Sequence, residues 1–158
     1  MKMDLPEHRE REIRTISSNR KAFHDYTIIT KFETGIVLQG TEVKSLRSGR
    51  CSMVDAYCVL RNNELYVINL HINEYEHGNR ENHKPKRERK LLVHDYELNK
   101  IRTSTAEKGM TIVPLEIYFS GHLIKLEIAT VKPKKKYDKR EATKEREHKR
   151  EIDRKFKY

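Results

Sequence analysis

Apolar positions along this chain fall in short runs separated by polar punctuation. Residues 26–32 (YTIITKF) are β-branched and aromatic, the composition of a strand. Gly35 interrupts that run, residues 36–38 continue it, and Gly40 ends it. Residues 41–46 (TEVKSL) predict a short helix, with Thr41 as its cap and Gly49 beyond its end. Two apolar runs, 55–60 and 65–70, flank Asn62 and Asn63. Asparagine tolerates positive φ, so these runs predict a hairpin. Residues 73–90 form one long polar loop. Residues 95–108 predict a helix with Leu98 and Ile101 facing inward and Gly109 as its stop. Residues 111–119 and 122–131 flank Ser120 and Gly121 as a second hairpin, with Ile124, Leu126 and Ile128 on one face. About six short strands and two helices, without regular strand–helix alternation, predict a small antiparallel barrel.

The ends differ from this middle. Residues 1–18 are charged and aperiodic and predict a mobile arm, leaving 19–131 as the folded domain. Residues 132–158 hold thirteen basic and six acidic residues with few core formers, so the segment is expected to be disordered alone. Its pattern nonetheless suits a helix. Glu145 and Lys149, and Glu151 and Lys155, are spaced i,i+4, while His148, Ile152 and Phe156 share one stripe. Pro133 is the last helix breaker. The tail therefore reads as a segment that becomes helical on a partner.

Composition narrows the function. The 158 residues carry 34 basic and 24 acidic side chains, a formal charge of +10, which points to a polyanionic partner. No apolar run approaches the length of a membrane span, and no secretory signal is visible. Only Cys51 and Cys58 are available for a disulfide, so they read as thiols of a cytoplasmic protein. Phosphate-loop, dinucleotide and zinc motifs are missing, and no carboxylate or cysteine pattern suggests a catalytic group. A metal at His77 and His83 lacks a third ligand. No cofactor is expected, and an enzyme is the weaker class. What remains is nucleic-acid chemistry. The long loop combines Arg80, Lys84, Lys86, Arg87, Arg89 and Lys90 with Asn79, Asn82, His77 and His83, and Tyr75 can stack on a base. Asn19, Arg20, Lys21, His24 and Tyr26 form a second basic and aromatic cluster.

Four blocks carry a family resemblance: NRKAFHDY (19–26), FETGIVLQGTEVKSLRSG (32–49), GNRENHKPKRERKLLVH (78–94) and KKKYDKR (134–140). In order and spacing they resemble the tmRNA-binding small protein B family, also called SsrA-binding protein. The resemblance implies an OB-like antiparallel barrel with two or three flanking helices and a basic C-terminal tail unstructured in solution. It implies a non-catalytic adaptor that binds the tRNA-like domain of tmRNA (SsrA RNA). Such an adaptor supports delivery of aminoacylated tmRNA with elongation factor Tu and rescues stalled ribosomes in trans-translation. It also implies site residues. Those for tmRNA are His24, Tyr26, Glu33, Glu42, Lys44, Arg47, Asn79, His83, Arg87, Arg89, Lys90, Leu92 and His94. Those for the ribosomal decoding centre are Lys134, Lys135, Lys136, Tyr137, Asp138, Lys139 and Arg140, with Ile152 and Phe156 as apolar anchors in the empty mRNA channel. Phe23, Lys84 and Pro133 depart from common family residues. A constitutive rRNA-binding ribosomal protein is the alternative reading of the same basic barrel and tail. No apolar stripe demands a dimer, so a cytoplasmic monomer is expected.

Overall fold

The computed structural model describes the chain over residues 11–156, the Tyr137 side chain excepted. The elements in order are β1 (Ile13–Ser18), α1 (Arg20–Asp25), β2 (Tyr26–Ile36), α2 (Gly40–Arg47), β3 (Cys51–Ser52), β4 (Tyr57–Arg61) and β5 (Glu64–Ile68). After β6 (His71–Ile72) comes a 3-10 turn at Asn79–Glu81, then β7 (Arg89–Leu92), α3 (Asp95–Thr105), β8 (Thr111–Ser120), β9 (Leu123–Pro133) and α4 (Lys136–Lys155). The large antiparallel sheet runs β1-β8-β4-β5-β7-β2-β9, and β9 also pairs with β8 along its length. That pairing closes β8, β4, β5, β7, β2 and β9 into a barrel, with β1 lying beside β8. β3 and β6 form a separate two-stranded piece.

Local chemistry explains the corners. Asn62 and Asn63 both have positive φ, the two-residue hairpin geometry that joins Arg61 to its partner Glu64. Gly121, at φ 61°, turns β8 into β9. Pro114 cannot donate to a ladder, and the β8 register shifts between it and Glu116. Asn19 satisfies the carbonyls freed there. Its backbone N–H donates to Leu115 O at 2.7 Å and its side chain to Pro114 O at 2.8 Å. The same side chain accepts from Ala22 N and so caps α1.

Two apolar clusters result. The barrel interior holds Phe32, Leu46, Cys58, Leu65, Val67, Leu91, Ile101, Ile117, Leu126 and Ile128. Outside the wall, Ala22 of α1 packs on Val113, Leu115, Ala129 and Val131. The first half of β8 is thus covered on both faces, which explains its continuous apolar run over Ile112–Leu115.

Three expectations change. Residues 13–18, expected within a mobile arm, form a strand paired from Ile13 to Ser18 with β8; residues 1–10 of that arm lie outside the described residues. A helix, α1, holds most of the second basic and aromatic cluster, for which the sequence predicts no element. The tail, expected to be disordered alone, is a 20-residue helix from Lys136 to Lys155. Its i,i+4 ion-pair spacing and freedom from glycine and proline favour that state, and its length exceeds the roughly 12–15 residues below which isolated helices are marginal.

The segment after β6 is not a loose loop. Glu42 of α2 is fully buried and paired with Arg87 and the equally buried Arg89. Arg89 also donates to Leu70 O at 2.6 Å and Pro85 O at 3.0 Å, and Gln39 N donates to Glu42 Oε1 at 2.9 Å. Burial pushes the Glu42 carboxyl up, but the Gln39 amide and both guanidiniums outweigh it and hold it below the usual carboxylate range. With the folded pKa depressed, Glu42 contributes fully above the unfolded value of about 4.3, and the contribution is lost as pH falls from there through the lower folded value. Glu42→Gln is expected to destabilise the fold by about 3–5 kcal/mol at neutral pH, because it leaves buried guanidinium charge unpaired. The gap to the natural chain should narrow on acidification below about pH 4. Urea unfolding across that range checks this, and equal stability at neutral pH would refute the role given to Glu42.

Candidate nucleic-acid interface

The outer wall of the barrel carries a row of matched positions. Leu92 of β7 pairs with Gly35 of β2, Gly35 with Lys125 of β9, Lys125 with Tyr118 of β8, and Tyr118 with Thr15 of β1. Directly paired residues share a sheet face. Glu33 lies two residues before Gly35 and therefore on the same face, opposite Glu127. Leu92 is 53% exposed. A Cβ placed on Gly35 would stand 3.2 Å from Leu92 Cβ, so the missing side chain lets Leu92 settle against the wall. Leu92 is thus an exposed apolar group on rigid backbone, not core.

Glu33 is exposed but held. The Tyr118 hydroxyl donates to its Oε2. Burial, and then the Glu33 carboxylate, push the Tyr118 hydroxyl well above its ordinary pKa, so it remains a donor. Lys31 reaches Glu127 at 3.6 Å on the same face. The result is an oriented carboxylate beside cations and an apolar side chain, able to accept from base amino groups or ribose hydroxyls. The family resemblance points to Glu33 and Leu92 on this face, and the structure places Tyr118 and Lys125 beside them. The available signal for Tyr118 was an aromatic out of phase between inward positions of β8. Past Leu92, His94 stacks on Tyr96 with centroids 5.5 Å apart and planes 10° apart, both exposed at the start of α3.

The other expected residues divide. Glu42, Arg89 and His83 are buried and do not reach solvent. His83 Nε2 donates to Ile72 O at 2.8 Å, leaving Nδ1 to accept from the Thr41 hydroxyl at 2.9 Å. Their expected contact with RNA is therefore corrected: they fold the loop onto α2. Arg87 is largely turned inward toward Glu42 and Val37 O. Lys90 pairs with Glu64 at 3.0 Å. Lys44, Arg47 and Asn79 are exposed, as are Arg80, Lys84 and Lys86.

His24 and Tyr26 sit elsewhere, where the tail leaves the barrel. Tyr26 packs against the α1 cluster. Asp25 gathers the contacts there. It accepts from His24 Nδ1 at 2.9 Å, lies 3.7 Å from Lys139 Nζ, and its carbonyl accepts from Lys134 N at 2.9 Å. The His24 hydrogen bond, then the Lys139 charge, hold its carboxyl below the ordinary value against an upward push from burial. Thr143 lies 3.3 Å from His24 Nε2. Lys134 Nζ donates to Phe23 O at 3.3 Å. Lys135, Lys136, Asp138 and Arg140 face solvent, and Tyr137 has no described side chain. Ile152 is exposed and Phe156 is 84% exposed. The first turns of α4 are thus held by polar contacts and the distal half by none among the described residues. Asp25→Ala is expected to speed amide hydrogen exchange over residues 136–143 while leaving the barrel strands protected. Unchanged exchange there would show that α4 holds itself.

Comparison with known proteins gives the kinship. The SmpB protein family model matches residues 16–158. The SsrA-binding protein of Carboxydothermus hydrogenoformans is 51% identical over 138 residues, covering 87% of this chain and 93% of that protein. The SsrA-binding protein of Syntrophobacter fumaroxidans is 49% identical over 141 residues, covering 89% of this chain and 88% of that one. A solved structure described as "tmRNA-SmpB: a journey to the center of the bacterial ribosome" superposes with a TM-score of 0.65 at 41% identity, covering 80% of this chain and 93% of its own. A barrel with this outer face and basic helical tail, matched at that level along most of its length, belongs to the SmpB protein family.

Proposed function

We propose that the chain is a non-catalytic adaptor that binds the tRNA-like domain of tmRNA and brings it to stalled ribosomes for trans-translation. The observation that carries this reading is the outer wall of the barrel, where Leu92 stands exposed over Gly35 beside the Tyr118-held Glu33. Relatives named for binding SsrA, and a solved tmRNA–SmpB structure described with the bacterial ribosome, support the choice of RNA and destination. On this wall, Leu92 gives shape contact, Glu33 accepts hydrogen bonds, and Lys125 and Lys31 meet phosphate. Phosphate contacts supply affinity and position, while the few directed contacts supply specificity.

The tail has a separate task. Lys134, Lys135, Lys136, Tyr137, Asp138, Lys139 and Arg140 enter the decoding centre, and Ile152 and Phe156 anchor α4 in the vacant mRNA channel. An intact message competes for that space, so occupancy reports its absence. Lys139 is engaged with Asp25 in the isolated chain, so entry exchanges that contact for rRNA. Elongation factor Tu accompanies the aminoacylated tmRNA, and the chain acts as a cytoplasmic monomer. No helix among the described residues is long and apolar enough to cross a membrane.

Filter binding with the tRNA-like domain, at two salt concentrations and with ordinary tRNA as competitor, tests the wall. Leu92→Ser is expected to weaken binding about tenfold or more, the effect of withholding one leucine from burial. Unchanged affinity in that variant would move the site off the wall. Removal of residues 134–158 is expected to leave this affinity nearly intact and abolish tagging of stalled chains. Loss of most of the affinity on truncation would refute the division of labour.

A further inference from the structure

A helix serine ordinarily returns its hydroxyl to a carbonyl of the preceding turn. Ser45 of α2 does not. Its side chain is buried and its Oγ has no hydrogen-bond partner. Buried hydroxyls are nearly always paired, so an orphan marks a place where a partner is missing. Ser45 lines a cleft of about 240 Å³ between the end of α2 and the chain that follows β6, with Arg50, Glu74, Tyr75 and His77 around it.

The walls of this cleft are fixed. The Asn82 side chain accepts from Tyr75 N at 2.9 Å and donates to Tyr75 O at 2.7 Å, locking the backbone that carries the ring. Asn73 N donates to Arg50 O at 3.1 Å, and Arg50 pairs with Glu76, which joins the two rims. His77 and Tyr75 form a T-shaped ring pair, with centroids 5.4 Å apart and planes at 72°. Lys44 Nζ stands 5.4 Å from the same ring centre and is not among the residues that line the cleft.

We propose that this cleft is a binding site for one unpaired nucleobase of the bound RNA, stacked on Tyr75 and hydrogen-bonded at its edge by Ser45. A base is planar and carries donors and acceptors on its rim, which suits an aromatic wall with one orphan hydroxyl beside it. Glu74 can accept from an exocyclic amino group, and Arg50 can donate to a ring nitrogen or carbonyl. A free anion is disfavoured by Glu74 and Glu76, and a wholly apolar group would leave Ser45 unpaired. The phosphates flanking such a base would meet the exposed Lys44 and Arg47. The site shares no residue with the Leu92 wall. It rests on the reading of this chain as a tmRNA-binding protein and adds a base-specific contact to it.

The test uses the full chain and the tRNA-like domain of tmRNA. Ultraviolet crosslinking followed by mass spectrometry is expected to place a nucleotide adduct on Tyr75. In filter binding, Tyr75→Leu should lose about five- to a hundredfold in affinity, the range of one base–aromatic stack. Tyr75→Phe should keep wild-type affinity, which a fold defect would not explain. Ser45→Ala, which leaves the shape of α2 intact, should lose about two- to tenfold. Tight wild-type binding with no adduct on Tyr75 and no loss in Tyr75→Leu or Ser45→Ala would overturn the cleft and leave the adaptor function standing. Failure of the wild-type chain to bind this RNA would overturn both.

Discussion

The buried Glu42 carboxylate is the interaction on which the rest of the molecule depends. An ion with no solvent access must be surrounded by donors, and here they come from three separate parts of the chain: Gln39 before α2, Arg87 at the end of the long loop and Arg89 at the start of β7. Arg89 in turn binds carbonyls of Leu70 and Pro85. One charge therefore fixes α2, the chain after β5 and the entry of β7 in a single arrangement. Loop residues 73–88 follow because their two ends are already set. His83 and Asn82 then close the interior of the loop onto Thr41, Ile72 and Tyr75.

This anchoring has a functional consequence at the surface. β7 enters the barrel through Arg89 and presents Leu92 three residues later, on the face opposite the buried Leu91. The position of Leu92 over Gly35 is thus inherited from the ion pair. On the same wall, Tyr118 restrains Glu33 through one hydrogen bond. A carboxylate fixed in advance loses little freedom on binding, which favours affinity and discrimination together. The tail works by a different logic. Its attachment at Asp25 is polar and partly open to solvent, so its contacts are weak and exchangeable.

Several of these features could be read from the residues. Period-two runs and the Asn62–Asn63 and Gly121 turns gave the hairpins, and Leu98 and Ile101 gave α3. The i,i+4 charges and the Ile152–Phe156 stripe gave the helical character of the tail, although not its order in the isolated chain. Other features were hidden for definite reasons. β1 is a mostly exposed edge strand, so its residues lack alternation, and its pairing with β8 spans most of the chain. α1 is only six residues long and is announced by little besides Asn19 as a cap. Arg87 and Arg89 sit among free cations of the same type. Their true partner, Glu42, lies 45 and 47 positions away, beyond any local window. The family resemblance marked these blocks but could not separate their exposed residues from those that hold the loop. Leu92 is set apart from the core only by its exposure in the folded chain.

The central claim is that RNA is read by the outer wall of the barrel, while the loop arginines and α4 serve other ends. Amide hydrogen exchange of the full chain, with and without the tRNA-like domain of tmRNA, tests it most directly. The account predicts that RNA slows exchange at the β2–β7 junction around Gly35 and Leu92 and at the start of α3, with α4 unchanged. Protection confined to residues 136–155, with no effect at Gly35 or Leu92, would contradict it.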